Sequence, residues 1–278
     1  MNTINASSLF HFTQNLESVK GILHNGFRLS YCMEKYSEDI VIGLPMICFC
    51  DIPLMRTYRH RLRYGDYMIG VSKDRLREKL LLELNPILYR NSIYLNNVVN
   101  EAIKQFEVYS AESQKIVDSI SLEILSKIYN REKYSVYGNK ELESQFMNNG
   151  HKVKFYETLL AYSKLYKDGE ETFYDESEWR VVGNNWGDTK WIWSKSNDNW
   201  EQLRKEENNR LWSAKDIYYS VSCVNDITHI IVKEEKEVHI IAKYILESDT
   251  IMGIKATQED KILLLTKITS LERINNDY

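Results

Sequence analysis

The chain has 278 residues, with 36 Lys and Arg against 40 Asp and Glu and a formal net charge of −4. That balance excludes a histone-like or ribosomal basic protein, and 43% hydrophobic with 27% charged residues excludes wholesale disorder. Three Pro and eleven Gly leave little material for flexible linkers, so one folded unit over residues 1–278 is expected. All six Trp (Trp179, Trp186, Trp191, Trp193, Trp200 and Trp212) fall in one short stretch.

The opening MNTINASSLFHFT lacks a basic flank running into an apolar core and a small-residue cleavage site, so no secretory signal is expected. No apolar run reaches the roughly 18 residues of a membrane span. The four Cys are scattered; Cys48 and Cys50 on a strand would share one face about 7 Å apart, which does not suit a disulfide. No zinc-ligand spacing accompanies them, so no metal is expected, and a reduced, cytoplasmic protein is the simple expectation.

In chain order, Ser8 to Phe12 reads as a short strand and Asn15 to Asn25 as a helix. Leu16, Val19, Ile22 and Leu23 lie on one face of that helix, and Gly26 follows as its C-terminal cap. Pro45 to Asp51 reads as a buried strand closed by Ile52-Pro53. A short basic helix then leads to a strand from Tyr67 to Ser72. From about 91 to 167 the pattern turns helical. Ile116, Ile120, Ile124 and Ile128, with Val117 and Leu125, form one apolar stripe, and Tyr156, Leu159, Leu160 and Ser163 suggest another. Glu178 to Val182 reads as a strand. The Trp-rich segment after it, interspersed with Asn184, Asn185, Asp188, Asn197, Asp198 and Asn199, reads as a long loop, a lid or a docking surface. The tail predicts a strand at Thr228 to Val232, a helix from Glu235 to Leu246 and a strand from Lys261 to Ile268. The sum is an α+β domain with a helical insertion.

Three groups of residues carry chemical interest. His11-Phe12-Thr13 ends an apolar stretch, where an imidazole and a hydroxyl can meet a ligand, or where Thr13 simply caps the helix. Glu176 and Glu178, two apart, would point to one side of a strand. Two such carboxylates can divide roles, one ionised and one with a raised pKa, or lie solvated on an edge strand beside Arg180. From Arg56 to Lys79 there are eight Lys and Arg against three Asp and Glu, a local net of +5. There Arg56, Arg59, Arg61 and Arg63 alternate with Tyr58, His60 and Tyr64. Arginine suits phosphate and aromatic rings stack on bases, though a solvated helix face has the same look. No Gly-rich phosphate loop, Gly-x-Ser-x-Gly elbow or His-Glu-x-x-His helix is present.

In order, Leu9-Phe-His-Phe-Thr13, Leu16 to Gly26, Pro45-Met-Ile-Cys-Phe-Cys-Asp-Ile-Pro53, His60 with Tyr64-Gly65, Asn85-Pro-Ile-Leu-Tyr89 and Phe173-Tyr-Asp-Glu-x-Glu-Trp-Arg180 resemble the AbiGi family of abortive phage resistance proteins. That resemblance implies the antitoxin half of a two-gene defence system whose partner is a nucleotidyltransferase-like toxin. The His-x-Thr start, a helix ending in Gly and the late Glu-x-Glu strand are also similar to DarT-like ADP-ribosyltransferases. This second resemblance implies a split β-sheet with flanking helices and NAD as substrate. It implies Glu178 as catalytic residue, Glu176 as acceptor-orienting residue and His11, Phe12 and Thr13 against the nicotinamide riboside. Phe49, Tyr64 or Tyr67 would stack on nicotinamide, and the segment with Arg56 and His60 would meet pyrophosphate or nucleic acid. The middle motif of that pattern is missing; the expectation is transfer of ADP-ribose from NAD to a nucleic-acid or protein acceptor, with a non-catalytic antitoxin or regulator that binds a toxin partner or nucleic acid as the alternative.

Overall fold

The computed structural model describes residues 7–37, 39–81, 83–119, 140–168, 171–185, 187–195, 199–214 and 217–277. Strand β1 (Ser8–Thr13) leads into helix α1 (Leu16–Asn25). Asn15, rather than Thr13, caps that helix, its side chain accepting the Ser18 N–H at 2.8 Å. Val19, Ile22 and Leu23 are its buried face, and the Gly26 N–H closes it onto the Ile22 carbonyl.

Strands β2 (Ser30–Lys35) and β3 (Ile40–Cys50) follow as a hairpin. The first was not anticipated because Ser-Tyr-Cys-Met-Glu-Lys shows no clean alternation. The second begins at Ile40 rather than Pro45. Along one edge its N-terminal half pairs with a later strand over Ile40–Gly43 and its C-terminal half with another over Met46–Cys50; Pro45, with no N–H to give, falls between. Helix α2 (Tyr58–Tyr64) and strand β4 (Tyr67–Ser72) match expectation. Helix α3 (Lys73–Lys79) and the short strand β5 (Leu84–Pro86) come next.

Two long helices, α4 (Ile93–Ser119) and α5 (Lys140–Ala161), make up the described part of the helical insertion. Of the isoleucine stripe, Ile116 lies in α4, while Ile120, Ile124, Leu125 and Ile128 lie outside the described residues. The helical run stops at Ala161, earlier than the expected 167, because Ser163–Leu165 pairs in parallel with Leu88–Arg90. Strand β6 (Glu178–Val182) matches expectation. The Trp-rich stretch is no loop: it forms strand β7 (Ile192–Lys195) and helix α6 (Trp200–Leu211), capped by Asn199. Trp186 lies outside the described residues.

The tail contains strand β8 (Ile227–Val232), helix α7 (Glu235–Glu247), helix α8 (Gln258–Leu265), strand β9 (Ile268–Ser270) and helix α9 (Leu271–Asp277). The strand expected at Lys261 to Ile268 is mostly α8. Thr257 and Asp260 cap each other's backbone there, at 2.9 and 3.1 Å, and a short apolar run cannot by itself distinguish strand from helix.

Among the described residues nine strands join one hydrogen-bonded sheet in the order β9-β8-β4-β1-β3-β6-β5, with β2 and β7 paired to the N-terminal half of β3. Only β8 with β9 is parallel within this sheet. The chain is therefore α+β, as expected. One sheet face packs Leu9, Phe49, Ile69 and Val181 against α1 and α7. The other packs Ile42, Leu44 and Met46 against Val99 and Ile103 of α4 and Leu160 of α5.

Candidate ligand cleft

The register of β6 on β3 sets Glu178 opposite Cys50, Arg180 opposite Cys48 and Val182 opposite Met46. These six side chains share the sheet face toward α5, whereas Trp179, Phe49, Val181 and Ile47 occupy the other. Trp179 packs away from Glu178, with Lys73 Nζ 4.9 Å from its ring centroid. Arg180 is fully buried and Glu178 is 5% exposed. Burial is possible because β6 lies between β3 and β5 and is no edge strand.

Glu176 is not on the strand, contrary to the sequence expectation. It ends a short 3₁₀ turn (Tyr174–Glu176), and Ser177 adopts a left-handed φ of 43° before β6 begins. That reversal still brings both carboxylates to one ammonium. Lys164 Nζ donates to Glu176 Oε2 at 2.8 Å and to Glu178 Oε2 at 3.0 Å. Arg180 donates to Glu178 through Nε at 2.6 Å and Nη2 at 3.2 Å, and to Glu34 at 2.6 Å. Arg63 and the Tyr64 hydroxyl donate to Glu176 Oε1 at 2.5 and 2.8 Å. Three carboxylates (Glu34, Glu176 and Glu178) thus face three cations (Arg63, Lys164 and Arg180). Pairing of this kind is what lets buried charges persist.

Burial pushes the Glu178 carboxyl up, but the Arg180 guanidinium and Lys164 ammonium outweigh it and hold it well below the usual carboxylate range. Glu178 is therefore ionised and is no proton donor. Burial opposes the Lys164 charge, but Glu34, Glu178 and Glu176 outweigh it and hold the amine protonated. His11 Nδ1 donates to the Cys48 carbonyl at 2.9 Å, which leaves Nε2 as an acceptor. Burial lowers its pKa, so the ring is neutral.

This network forms one wall of a cleft of about 540 Å³ that is also lined by His11, Phe12, Phe173, Trp200 and Arg204. His11, Phe12, Tyr64, Glu176 and Glu178 are thus brought together. Thr13 lines an adjoining cavity of about 430 Å³ beside α1, which shares His11, Arg28 and Ser30 with the larger one. His60 is buried against Phe12 and lines a third cavity of about 190 Å³ with Arg59 and Arg63.

Other expected residues fall elsewhere. Phe49 is 1% exposed and packs edge-on to Phe27 and His11 on the sheet's opposite face, so it offers no stacking surface. Tyr67 lines neither large cavity; its hydroxyl donates to Glu237 at 2.8 Å, and burial followed by Glu237 pushes its pKa up to about 12. Arg56 sits on an exposed 3₁₀ turn, and Arg61 packs over Tyr58; neither lines a described cavity. Arg59 pairs with Asp175 at 3.3 Å. The four arginines therefore make no continuous basic face. Sequence reasoning missed Glu34, Arg28, Lys164 and Arg204. Only Lys164, a charge between Ser163 and Leu165 just after an amphipathic helix, left a trace.

A family model described as "Putative abortive phage resistance protein AbiGi, antitoxin" matches residues 27–233. The chain belongs to the AbiGi family. The matched span holds β2 through β8, including Glu176 and Glu178, whereas His11, Phe12 and Thr13 precede it. No curated protein and no solved structure matches this AbiGi chain. Among its described residues no helix is long and apolar enough to cross a membrane, and no cluster of three or more His, Cys, Asp or Glu could hold a metal.

Proposed function

We propose that this AbiGi chain is the antitoxin of a two-component phage-defence pair, acting by binding a nucleotidyltransferase-like toxin and not by chemistry at Glu178. The supporting observation is how far the Glu178 carboxylate is already engaged. A carboxylate has roughly four acceptor positions, and Arg180 (twice) and Lys164 occupy three of them. At most one position is left to bond a substrate hydroxyl. The surface with the look of an interface is α2 and the turn before it. Tyr58 and Leu62, one helical turn apart, are 63% and 73% exposed, with Met55 beside them and Arg56 and Arg59 around them.

Co-expression with the nucleotidyltransferase-like toxin that the proposal assigns as partner tests it. Glu178→Gln is expected to keep neutralisation, and the triple variant Arg56→Glu, Arg59→Glu, Leu62→Glu to lose it with its circular dichroism unchanged. Loss in a folded Glu178→Gln protein would overturn it.

A second reading, transfer of ADP-ribose from NAD to a nucleic-acid or protein acceptor on an ADP-ribosyltransferase-like fold, is favoured by one observation. His11, Glu176 and Glu178 line the same cleft. The fit is partial. His11 Nε2 and Thr13 suit the riboside end, and an ionised Glu178 suits positive charge developing at the sugar carbon as nicotinamide leaves. Glu178 would first have to release one of its present partners. Calorimetric titration with NAD, together with an assay for released nicotinamide, decides this reading: absence of both sinks it.

A further inference from the structure

The turn that ends α1 also builds a pocket wall. Gly26 takes φ +93 there, and a Cβ on it would lie 2.6 Å from the Tyr219 carbonyl oxygen. This close approach lets Phe27–Arg28 pair in antiparallel fashion with Tyr218–Tyr219. Alternation along the pair buries Phe27 and sends Arg28 to the other face, beside its cross-strand neighbour Tyr218. Arg28 and Tyr218 both line the cavity of about 430 Å³, and most of its remaining lining comes from α1 and the end of β1.

The polar groups of this cavity are uncommitted, in contrast to the charge network around Glu178. Arg28 Cζ lies 3.8 Å from the Trp212 ring centroid. Stacking holds the guanidinium flat and leaves its N–H edge for an oxyanion. Among the described residues Arg28 has no ion pair, and the side chains of Thr13, Asn25 and Ser30 have no hydrogen bond. His11 adds Nε2 as an acceptor. The acid on the lining, Glu17, is already paired with Lys20 at 2.7 Å.

An occupant would also account for Gly21. It sits inside α1, where glycine weakens a helix relative to alanine. A Cβ there would meet nothing within 4 Å, so no packing within the described chain calls for glycine. A molecule lying against this face of the helix does call for it.

We propose that the cavity lined by α1 and the Arg28–Tyr218 pair binds a small hydroxylated organic anion, a sugar phosphate or a sugar acid. Its oxyanion meets Arg28, and its hydroxyls meet Thr13, Asn25, Ser30 and His11 Nε2. A hydroxyl both donates and accepts, so it can satisfy an amide, another hydroxyl and an imidazole alike. Ile22 and the single ring of Tyr218 are the larger apolar side chains on the lining, which disfavours an apolar ligand. The volume falls in the range of about 300–1,000 Å³ usual for small-molecule sites. Neither the toxin surface on α2 nor the ADP-ribosyl transfer reading assigns a role to Gly21, Arg28 or Tyr218.

Isothermal titration calorimetry of the full chain with ribose 5-phosphate, glucuronate and orthophosphate tests it. At least one sugar anion is expected to bind, about tenfold or more tighter than orthophosphate. The tighter of the two sugar anions identifies the oxyanion as phosphate or carboxylate. Arg28→Gln should weaken that binding about tenfold or more, the effect of losing a charge-assisted contact. Gly21→Leu should abolish it without lowering the thermal midpoint, because leucine suits a helix interior better than glycine and its Cβ meets open space. Arg75→Gln, in an exposed ion pair on α3, should change neither. The idea is overturned if neither sugar anion binds, if orthophosphate binds as tightly, or if Arg28→Gln and Gly21→Leu bind as wild type does. Displacement of the sugar anion by NAD at equal concentration would also overturn it and assign the cavity to ADP-ribosyl transfer.

Discussion

Lys164 is the residue on which the cleft wall depends. It is the one ammonium between Glu176 and Glu178, and removing it leaves two buried carboxylates with one fewer compensating charge. Lys164→Met is expected to destabilise the fold by about 3–5 kcal/mol in urea titration, the usual cost of breaking a buried pair from one side. Wild-type stability in that variant would mean that the network is not buried as described. The histidines make a second residue-scale prediction. Burial lowers the pKa of His11, His60 and His229 from 6.5. As pH falls through about 6.5 the unfolded chain takes up protons that the folded chain refuses, so stability must decline with falling pH. Glu178 acts in the same direction further down. Its contribution is complete above the ordinary value of 4.5 and is lost as pH drops below it toward the lowered folded value. Urea midpoints at pH 7.5, 6.5 and 5.5 should fall in that order; a flat profile would contradict neutral, buried imidazoles.

At the scale of elements, the junction between α2 and β4 packs against the strand end that carries His11 and Thr13. Gly65 has φ +109, and a Cβ there would lie 2.6 Å from the Gln14 Cα, against the backbone that ends β1. Gly65→Ala should cost about 1–3 kcal/mol from the backbone conformation alone, read as a lowered thermal midpoint. It should also weaken any ligand held by His11 or Thr13, because the clash displaces the strand end that carries them. An unchanged midpoint would show the junction to be slack. Elements with one strong local signal were legible in the sequence: α1 from its apolar spacing and terminal Gly, β4 from a compact apolar run and β6 from its aromatic and β-branched Trp179, Val181 and Val182. The strand β2 was not, because its half-buried residues make contacts only after β3 and α6 close over it. The run at Lys261 to Ile268 failed for a different reason. Its helix is decided by the Thr257–Asp260 cap outside the apolar stretch. The convergence of His11 with Glu178 was legible as residue types and Arg180 from its i, i+2 spacing on the same strand, but Lys164, on a short strand paired with Leu88–Arg90, becomes visible only in the folded chain.

Across the whole molecule the order of strands matters more than any single contact. Strand β1 lies in the middle of the sheet, paired along Ser8–Thr13 with β4 and through Phe10 with β3. The family match starts at Phe27, after this strand, and stops at Lys233, before α7 and β9. A chain cut to residues 27–233 would therefore expose the facing edges of β3 and β4 and strip α7 from the core. Open, apolar strand edges template association between chains, so such a fragment is expected to aggregate and to lack a cooperative melting transition. A soluble fragment with the near-ultraviolet dichroism of the full chain would contradict this. Lineage is readable from one length of chain, while mechanical integrity belongs to another. The central strand lies outside the part that declares ancestry, and a protein dissected along its hereditary borders would come apart through its middle.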